Sequence, residues 1–230
     1  TEGPAYGMQS IAGKLYAGQH TGLFLLPNGT AKRIAHTHGL WQVKQLQSNP
    51  EFAVGGPYSG LYLFRIKEKM ELQGVGKIDG FEESSRFFEE DRQGNIWVGQ
   101  FYKGLYRLSL SPGLTAAVAN KISAGQGLPV NEQIILSRIH NELYLGSPKG
   151  VYKVDQANGR IVKSETFSKV IGEQQVYLMV QDNKKNVHVF TEEIAGFFRQ
   201  ISAGNYAFVP SSLFQLRYSF NNDLLNLSVH

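Results

Sequence analysis

The sequence predicts an all-β protein, a β-propeller of four-stranded antiparallel blades. Two observations carry this: a repeat of about one blade's length, and a composition suited to strands joined by tight turns. Residues 14–24 read Lys-Leu-Tyr-Ala-Gly-Gln-His-Thr-Gly-Leu-Phe, and 51–62 read Glu-Phe-Ala-Val-Gly-Gly-Pro-Tyr-Ser-Gly-Leu-Tyr. Residues 95–106 and 142–152 repeat the pattern: a strand ending in glycine, a short loop, then glycine, two apolar residues and a new strand. Residues 186–198 form a degenerate fifth copy, with Phe190 where the others have glycine. The second glycines, Gly22, Gly60, Gly104, Gly150 and Gly196, are spaced by 38, 44, 46 and 46 residues, close to the ~40–50 of a propeller blade. Helical repeats are shorter, and no sustained period of 3.6 residues runs through the chain. The 25 glycines, 14 Phe and 11 Tyr suit turns and pleated, half-buried strands.

Within the third unit the elements come in order. Residues 85–90 read as the first strand, 95–99 as the second, 104–110 as the third and 114–122 as the outer fourth. Asp91-Arg92-Gln93-Gly94 supplies the turn between the first two. The outer strand alternates less cleanly, as a solvent-facing edge does. Blades are thus expected over 8–40, 41–79, 80–123, 124–170 and 171–212. Residues 213–220, 221–223 and 224–229 read as strand, turn and strand, half of a sixth blade. The amino end supplies a whole blade of its own, so a segment of a larger propeller is expected.

With 42% hydrophobic and 18% charged residues in 230, one large all-β domain can fill its core. The net charge of +4 is scattered; the densest basic spot is Lys184-Lys185 in a turn. That is not the clustered basic stripe of a nucleic-acid binder, and no bound nucleic acid is expected. Without cysteine there can be no disulfide framework, cysteine-ligated zinc or thiol nucleophile. No apolar stretch approaches the ~18 residues that span a bilayer. The chain begins at Thr1 without an initiator Met or signal peptide, so a processed or excised segment is expected.

The most specific stretch is 91–107, Asp-Arg-Gln-Gly-Asn-Ile-Trp-Val-Gly-Gln-Phe-Tyr-Lys-Gly-Leu-Tyr-Arg. It resembles the two-component regulator propeller repeat, Asp-x-x-Gly-x-Ile-Trp-x-Gly-Thr with Gly-Leu-Tyr a few residues later. Asp91, Gly94, Ile96, Trp97, Gly99, Gly104, Leu105 and Tyr106 match; Gln100 stands where Thr is usual. The units at Gly18, Gly55 and Gly146 match only the later half, and the unit near Phe190 keeps Asp182. The resemblance implies the periplasmic sensor region of a bacterial hybrid two-component regulator, a protein anchored in a membrane whose histidine kinase lies outside this segment. Many such regions respond to oligosaccharides. No cofactor is implied, and the segment itself is expected not to be an enzyme.

Loops joining second to third strands should open on one end of the propeller, beside the connections leading into each blade. Those positions hold Gln19 and His20, Tyr58, Phe101, Tyr102 and Lys103, and Lys149, with Trp41 and Arg86 on the lead-in connections. Aromatic faces beside polar and basic groups suit an oligosaccharide or other small ligand, since sugar C–H faces stack on rings while hydroxyls take directional hydrogen bonds. The alternative is that these rings fill gaps between blades. Trp97 and the paired glycines are expected to be structural, and Asp91 to cap its turn.

Other constellations are weaker. His36 and His38, two apart on an extended segment, would share a side, but no third ligand stands near in sequence and no metal is expected. Glu82-Glu83 and Glu89-Glu90 are neighbours that a strand sends to opposite faces, so neither pair can act together as glycosidase acids. A propeller lyase of the streptogramin-lyase type would need a histidine and an acid on one face; His140 and His188 are the candidates. A protein-docking platform, through a homodimer of the sensor, would need an exposed apolar patch.

Overall fold

The computed structural model describes residues 3–100, 103–122, 124–128 and 133–211. Among these, five four-stranded antiparallel sheets succeed one another along the chain, each in simple meander order. The first comprises β1 (Gly7–Ile11), β2 (Lys14–Gln19), β3 (Gly22–Leu25) and β4 (Lys32–Ala35); the second, β5 (Gln42–Gln45), β6 (Phe52–Gly56), β7 (Leu61–Ile66) and β8 (Leu72–Ile78). The third holds β9 (Phe87–Glu90), β10 (Ile96–Gln100), β11 (Gly104–Leu110) and β12 (Ala117–Ile122). The fourth holds β13 (Ile135–Ile139), β14 (Glu142–Ser147), β15 (Gly150–Val154) and β16 (Ile161–Lys163). The fifth holds β17 (Val176–Gln181), β18 (Val187–Thr191), β19 (Ala195–Ser202) and β20 (Asn205–Pro210). The sixth unit expected over 213–230 lies outside the described residues.

Consecutive sheets pack face to face, and each interface has its own core. Tyr16, Leu23, Leu40, Val43 and Phe64 fill the first, and Val54, Leu63, Phe88, Ile96 and Val98 the second. Trp97, Leu105, Ile134 and Leu145 fill the third, and Ile135, Phe167, Val176, Val187 and Phe198 the fourth. Fully burying one such side chain is worth about 1.5–3 kcal/mol, whereas an exposed, solvent-screened ion pair such as Lys77 with Glu82 adds little. Interface packing therefore holds the stack together.

The repeated glycines have two separate reasons. A Cβ on Gly99 would stand 2.7 Å from the Ile134 carbonyl oxygen of the next lead-in segment, so only glycine lets the sheets approach. Gly104 opens its strand at φ +85°, in the left-handed region that other residues avoid.

Asp91 does what its place in the repeat suggested. Its Oδ1 accepts from Gln93 N and Asn95 N, both at 2.9 Å, and its Oδ2 from Trp97 Nε1 at 2.8 Å and Asn95 Nδ2 at 2.9 Å. Trp97 is fully buried. The fifth sheet rebuilds the same turn from different residues. Asp182 Oδ1 accepts from Lys184 N and Asn186 N, its Oδ2 from Asn186 Nδ2 and His188 Nε2, and Lys185 takes the left-handed position of Gly94 at φ 66°. His188 replaces Trp97 because the turn requires only a ring N–H six residues after the aspartate.

Two details of the expected elements differ. The first and fourth strands of the third sheet begin at Phe87 and Ala117 rather than at 85 and 114. Ser85 is drawn off to bond Gly60 O, and Leu114 turns left-handed at φ 59° to close a turn on Ser111. A short helix, α1 (Glu165–Ile171), also interrupts the all-β pattern. Ser164 caps it by accepting from Phe167 N, and it buries Phe167 and Ile171, one turn apart on one side.

Candidate functional site

Antiparallel meanders put the turns of strands one–two and three–four at one end of the stack. The two–three loops and the lead-in segments meet at the other end, and backbone bonds stitch them there. Tyr6 N donates to Gly18 O at 2.8 Å, Trp41 N to Gly56 O at 2.8 Å and Ser85 N to Pro57 O at 3.1 Å. Tyr6, Trp41 and Arg86 each stand immediately before the first strand of their sheet, so three successive sheets present equivalent positions side by side.

There the side chains stack. The Tyr6 and Trp41 rings lie 4.6 Å apart, and the Arg86 guanidinium sits 4.7 Å over Trp41 and 5.2 Å over Phe87, both within cation–π range. Tyr58, on the β6–β7 loop, packs 5.2 Å from Trp41, and its hydroxyl meets that of Tyr6 at 2.6 Å and His20 Nδ1 at 3.1 Å. His38 closes the group, 5.6 Å from His20 and 5.5 Å from Tyr58. His20 is held by bonds from Gly39 N to His20 O and from Leu40 N to Gln19 O. Gly39 is required beside it: its φ is +74°, and a Cβ there would run into the Tyr58 ring.

Burial, reinforced by the hydroxyl of Tyr6, pushes the Tyr58 pKa up to about 12, so this phenol keeps its proton at physiological pH. Burial likewise lowers the Arg86 pKa from its usual value. Two side-chain atoms in this region, Trp41 Nε1 and Gln19 Oε1, are buried with no hydrogen-bond partner among the described residues, where such groups are normally satisfied. The cluster thus offers ring faces, a shared hydroxyl pair, exposed imidazoles and a stacked cation, which suits a polar ligand carrying C–H faces.

Of the residues singled out in the sequence, His20, Trp41, Tyr58 and Arg86 come together here, and Gln19 precedes His20 with its carbonyl accepting from Leu40 N. Lys103 instead pairs with Glu83 at 2.6 Å on an exposed loop. Lys149 lies on the β14–β15 turn, its N–H donating to Ser147 Oγ at 3.1 Å. Phe101 and Tyr102 lie outside the described residues. Tyr6 and His38 belong to the cluster and were not among the expected contacts. Tyr6 could have been found, since it occupies the position of Trp41 and Arg86; His38 stood out in the sequence only as the neighbour of His36, not as a partner of Tyr58.

The remaining candidates disperse. His36 accepts from Arg33 Nη1 at 2.7 Å while His38 turns to Tyr58, and the described residues hold no group of three or more metal-ligating side chains. Glu82 pairs with Lys77, Glu83 with Lys103 and Glu89 with Lys44, while Glu90 accepts from Gln47 N and Ser48 N. At the opposite end, His140, Asp182, Arg138 and Lys185 line an open cavity of about 450 Å³. Asp182 there is committed to its turn, and the His188 ring lowers its pKa to about 2.

Solved structures identify the architecture. Virginiamycin B lyase of Staphylococcus aureus superposes with a TM-score of 0.58 at 13% identity, over 90% of this chain and 69% of that one. The extracellular domain assigned to a hybrid two-component system of Bacteroides thetaiotaomicron gives 0.58 at 16% identity, over 96% of this chain and 30% of that one. The five sheets are blades of a β-propeller. At these identities the likeness speaks for the fold alone, and the chain spans under a third of the Bacteroides domain. A gluconolactonase-like protein shares the fold more loosely, with a TM-score of 0.51. No protein-family model matches the sequence, and no curated protein matches it. The propeller's loop-rich end carries the aromatic cluster. No helix among the described residues is long and apolar enough to cross a membrane.

Proposed function

We propose that this propeller is an extracytoplasmic ligand-binding sensor module of a two-component signalling protein, and that it recognises an oligosaccharide on its loop-rich end. The observation that carries the reading is the stack of Tyr6, Trp41 and Arg86 from three successive blades, with Tyr58 bridging Tyr6 and His20 by hydroxyl bonds. A sugar packs its C–H groups against the open rim of the cluster beside Trp41, and its hydroxyls exchange hydrogen bonds with the Tyr6–Tyr58 pair and the His20 imidazole. The fold shared with extracellular two-component domains supports the setting. Signal output belongs to domains outside this segment, in a membrane-anchored parent.

The test is an array of neutral and acidic oligosaccharides probed with the chain and with Trp41→Ala. Binding to a defined glycan family, weakened at least tenfold in the variant, supports the reading. Binding that survives Trp41→Ala unchanged, or no binding to any glycan, refutes it.

A second reading, a propeller lyase, has the shared fold of virginiamycin B lyase behind it and the meeting of His140 with Asp182 in one cavity. It predicts turnover abolished by His140→Ala and untouched by Trp41→Ala, the opposite of the sensor pattern.

A further inference from the structure

The chain carries two Asn-Gly pairs, Asn28-Gly29 and Asn158-Gly159, and the fold treats them oppositely. Both stand in loops joining the third strand of a blade to its fourth, β3 to β4 and β15 to β16, at the end of the stack opposite the aromatic cluster. In the fourth blade the pair is tied down. Asn158 Nδ2 donates to Asp155 Oδ2 at 2.6 Å, its Oδ1 accepts from Arg160 N at 2.8 Å, and Gly159 N donates to Asp155 O at 2.7 Å. Gly159 is buried, with Arg107 Nη1 and the Trp97 ring 3.8 and 4.0 Å from where a Cβ would stand.

In the first blade the equivalent pair is bare. Pro27, Asn28, Gly29 and Thr30 are all exposed, and a Cβ on Gly29 would meet nothing within 4 Å. Among the described residues, neither the Asn28 amide nor Gly29 N makes a hydrogen bond. An asparagine followed by glycine carries its own nucleophile, because the glycine nitrogen has no neighbouring side chain to shield it. Where the backbone is free to turn, that nitrogen reaches the side-chain carbonyl carbon of the asparagine.

We propose that Asn28 is a site of spontaneous deamidation, with water as co-reactant, and that the fold protects Asn158 from the same reaction. Gly29 N bonds to Asn28 Cγ, the Cγ–Nδ2 bond breaks, and ammonia leaves with the proton that Gly29 N gives up. Water then opens the resulting cyclic imide at either carbonyl. One product has aspartate at position 28; the other has isoaspartate, with the chain rerouted through Cγ. Both add a carboxylate and lower the net charge of +4 by one. At Asn158 the attack requires Gly159 N to leave Asp155 O, and the amide to leave Asp155 Oδ2 and Arg160 N. The reaction there waits on local opening of the loop.

The test follows the tryptic peptides 15–32 and 154–160 by mass spectrometry while the folded chain stands in warm, mildly alkaline buffer. Acid and isoaspartyl forms of the first should accumulate at least tenfold faster than those of the second. In urea the difference should vanish, both sites then reacting at similar rates, which separates protection by the fold from the effect of neighbouring residues. Asp155→Ala should speed the reaction at Asn158 in the folded chain and leave Asn28 as it was, and Asn28→Gln should remove the products from peptide 15–32. Equal rates at the two sites in the folded chain, an unreactive Asn28, or an advantage for Asn28 that persists in urea would overturn the proposal.

Discussion

Replacing Asp91 with alanine should cost more stability than any other single change in the repeat turns. Its carboxylate accepts from Gln93 N, Asn95 N, Asn95 Nδ2 and Trp97 Nε1, and lies 3.8 Å from Arg107 Nε, with its side chain wholly buried. Alanine leaves these donors without an acceptor where water has little access. Each orphaned buried donor costs about 1–3 kcal/mol, though such terms do not add in full. Relaxation of the turn recovers part, so a net loss of about 3–5 kcal/mol is expected, comparable with breaking a buried charged pair. Asp91→Asn should lose less, about 2 kcal/mol, because an amide oxygen still serves the two backbone donors while its NH₂ faces the Trp97 N–H. Asp182→Ala removes the equivalent turn in the fifth blade, where the side chain is 31% exposed and water replaces the lost acceptor, so it should cost clearly less than Asp91→Ala. Urea denaturation of the three variants measures this directly, with the slope checked for constancy. A loss at Asp91→Ala no greater than at Asp182→Ala would refute the assignment of that turn as a buried polar anchor.

The geometry sets three further outcomes. Gly99→Ala should destabilise by about 1–3 kcal/mol, because its new methyl meets the Ile134 carbonyl of the next blade's lead-in segment; thermal melting checks it. Tyr16→Phe should cost about 1–2 kcal/mol, since Leu72 N donates to Tyr16 Oη at 3.0 Å inside the first interface, and hydrogen exchange at the Leu72 amide should speed up. The folded-state pKa of Asp182, about 2, lies below the ordinary 3.8, so this carboxylate adds stability above about pH 4 and loses that contribution as the pH falls toward 2. His188→Ala should raise the Asp182 pKa in an NMR titration and narrow that window.

The architecture was legible because the features that encode it are local. Glycines recur where sheets approach or strands restart, and Asp91, Gly94 and Trp97 fix one turn within seven residues. The fifth blade reads as degenerate because its turn keeps geometry rather than residue type: His188 donates as Trp97 does, and Lys185 accepts the strained left-handed conformation that Gly94 takes freely. The helix at 165–171 escapes a reading by periodicity because seven residues with two buried side chains make too short a signal. The candidate site was legible only in part. Trp41, Tyr58 and Arg86 come from the register of loops, but their mutual distances depend on how three blades stack. Tyr6 and His38 join them through contacts 52 and 20 residues away in sequence, which no local pattern encodes.

The most direct test of the ligand-binding account uses the two tryptophans. Trp97 is fully buried in a blade interface, and Trp41 lies in the candidate site. Titrating the chain with a binding oligosaccharide while monitoring tryptophan fluorescence should give a saturable change. Trp41→Phe should abolish the spectral change, and Trp41→Ala should weaken affinity by about 2 kcal/mol, roughly thirtyfold, as measured by calorimetry. A fluorescence change that persists in Trp41→Phe, or an affinity that Trp41→Ala leaves intact, would place the ligand elsewhere and contradict the account.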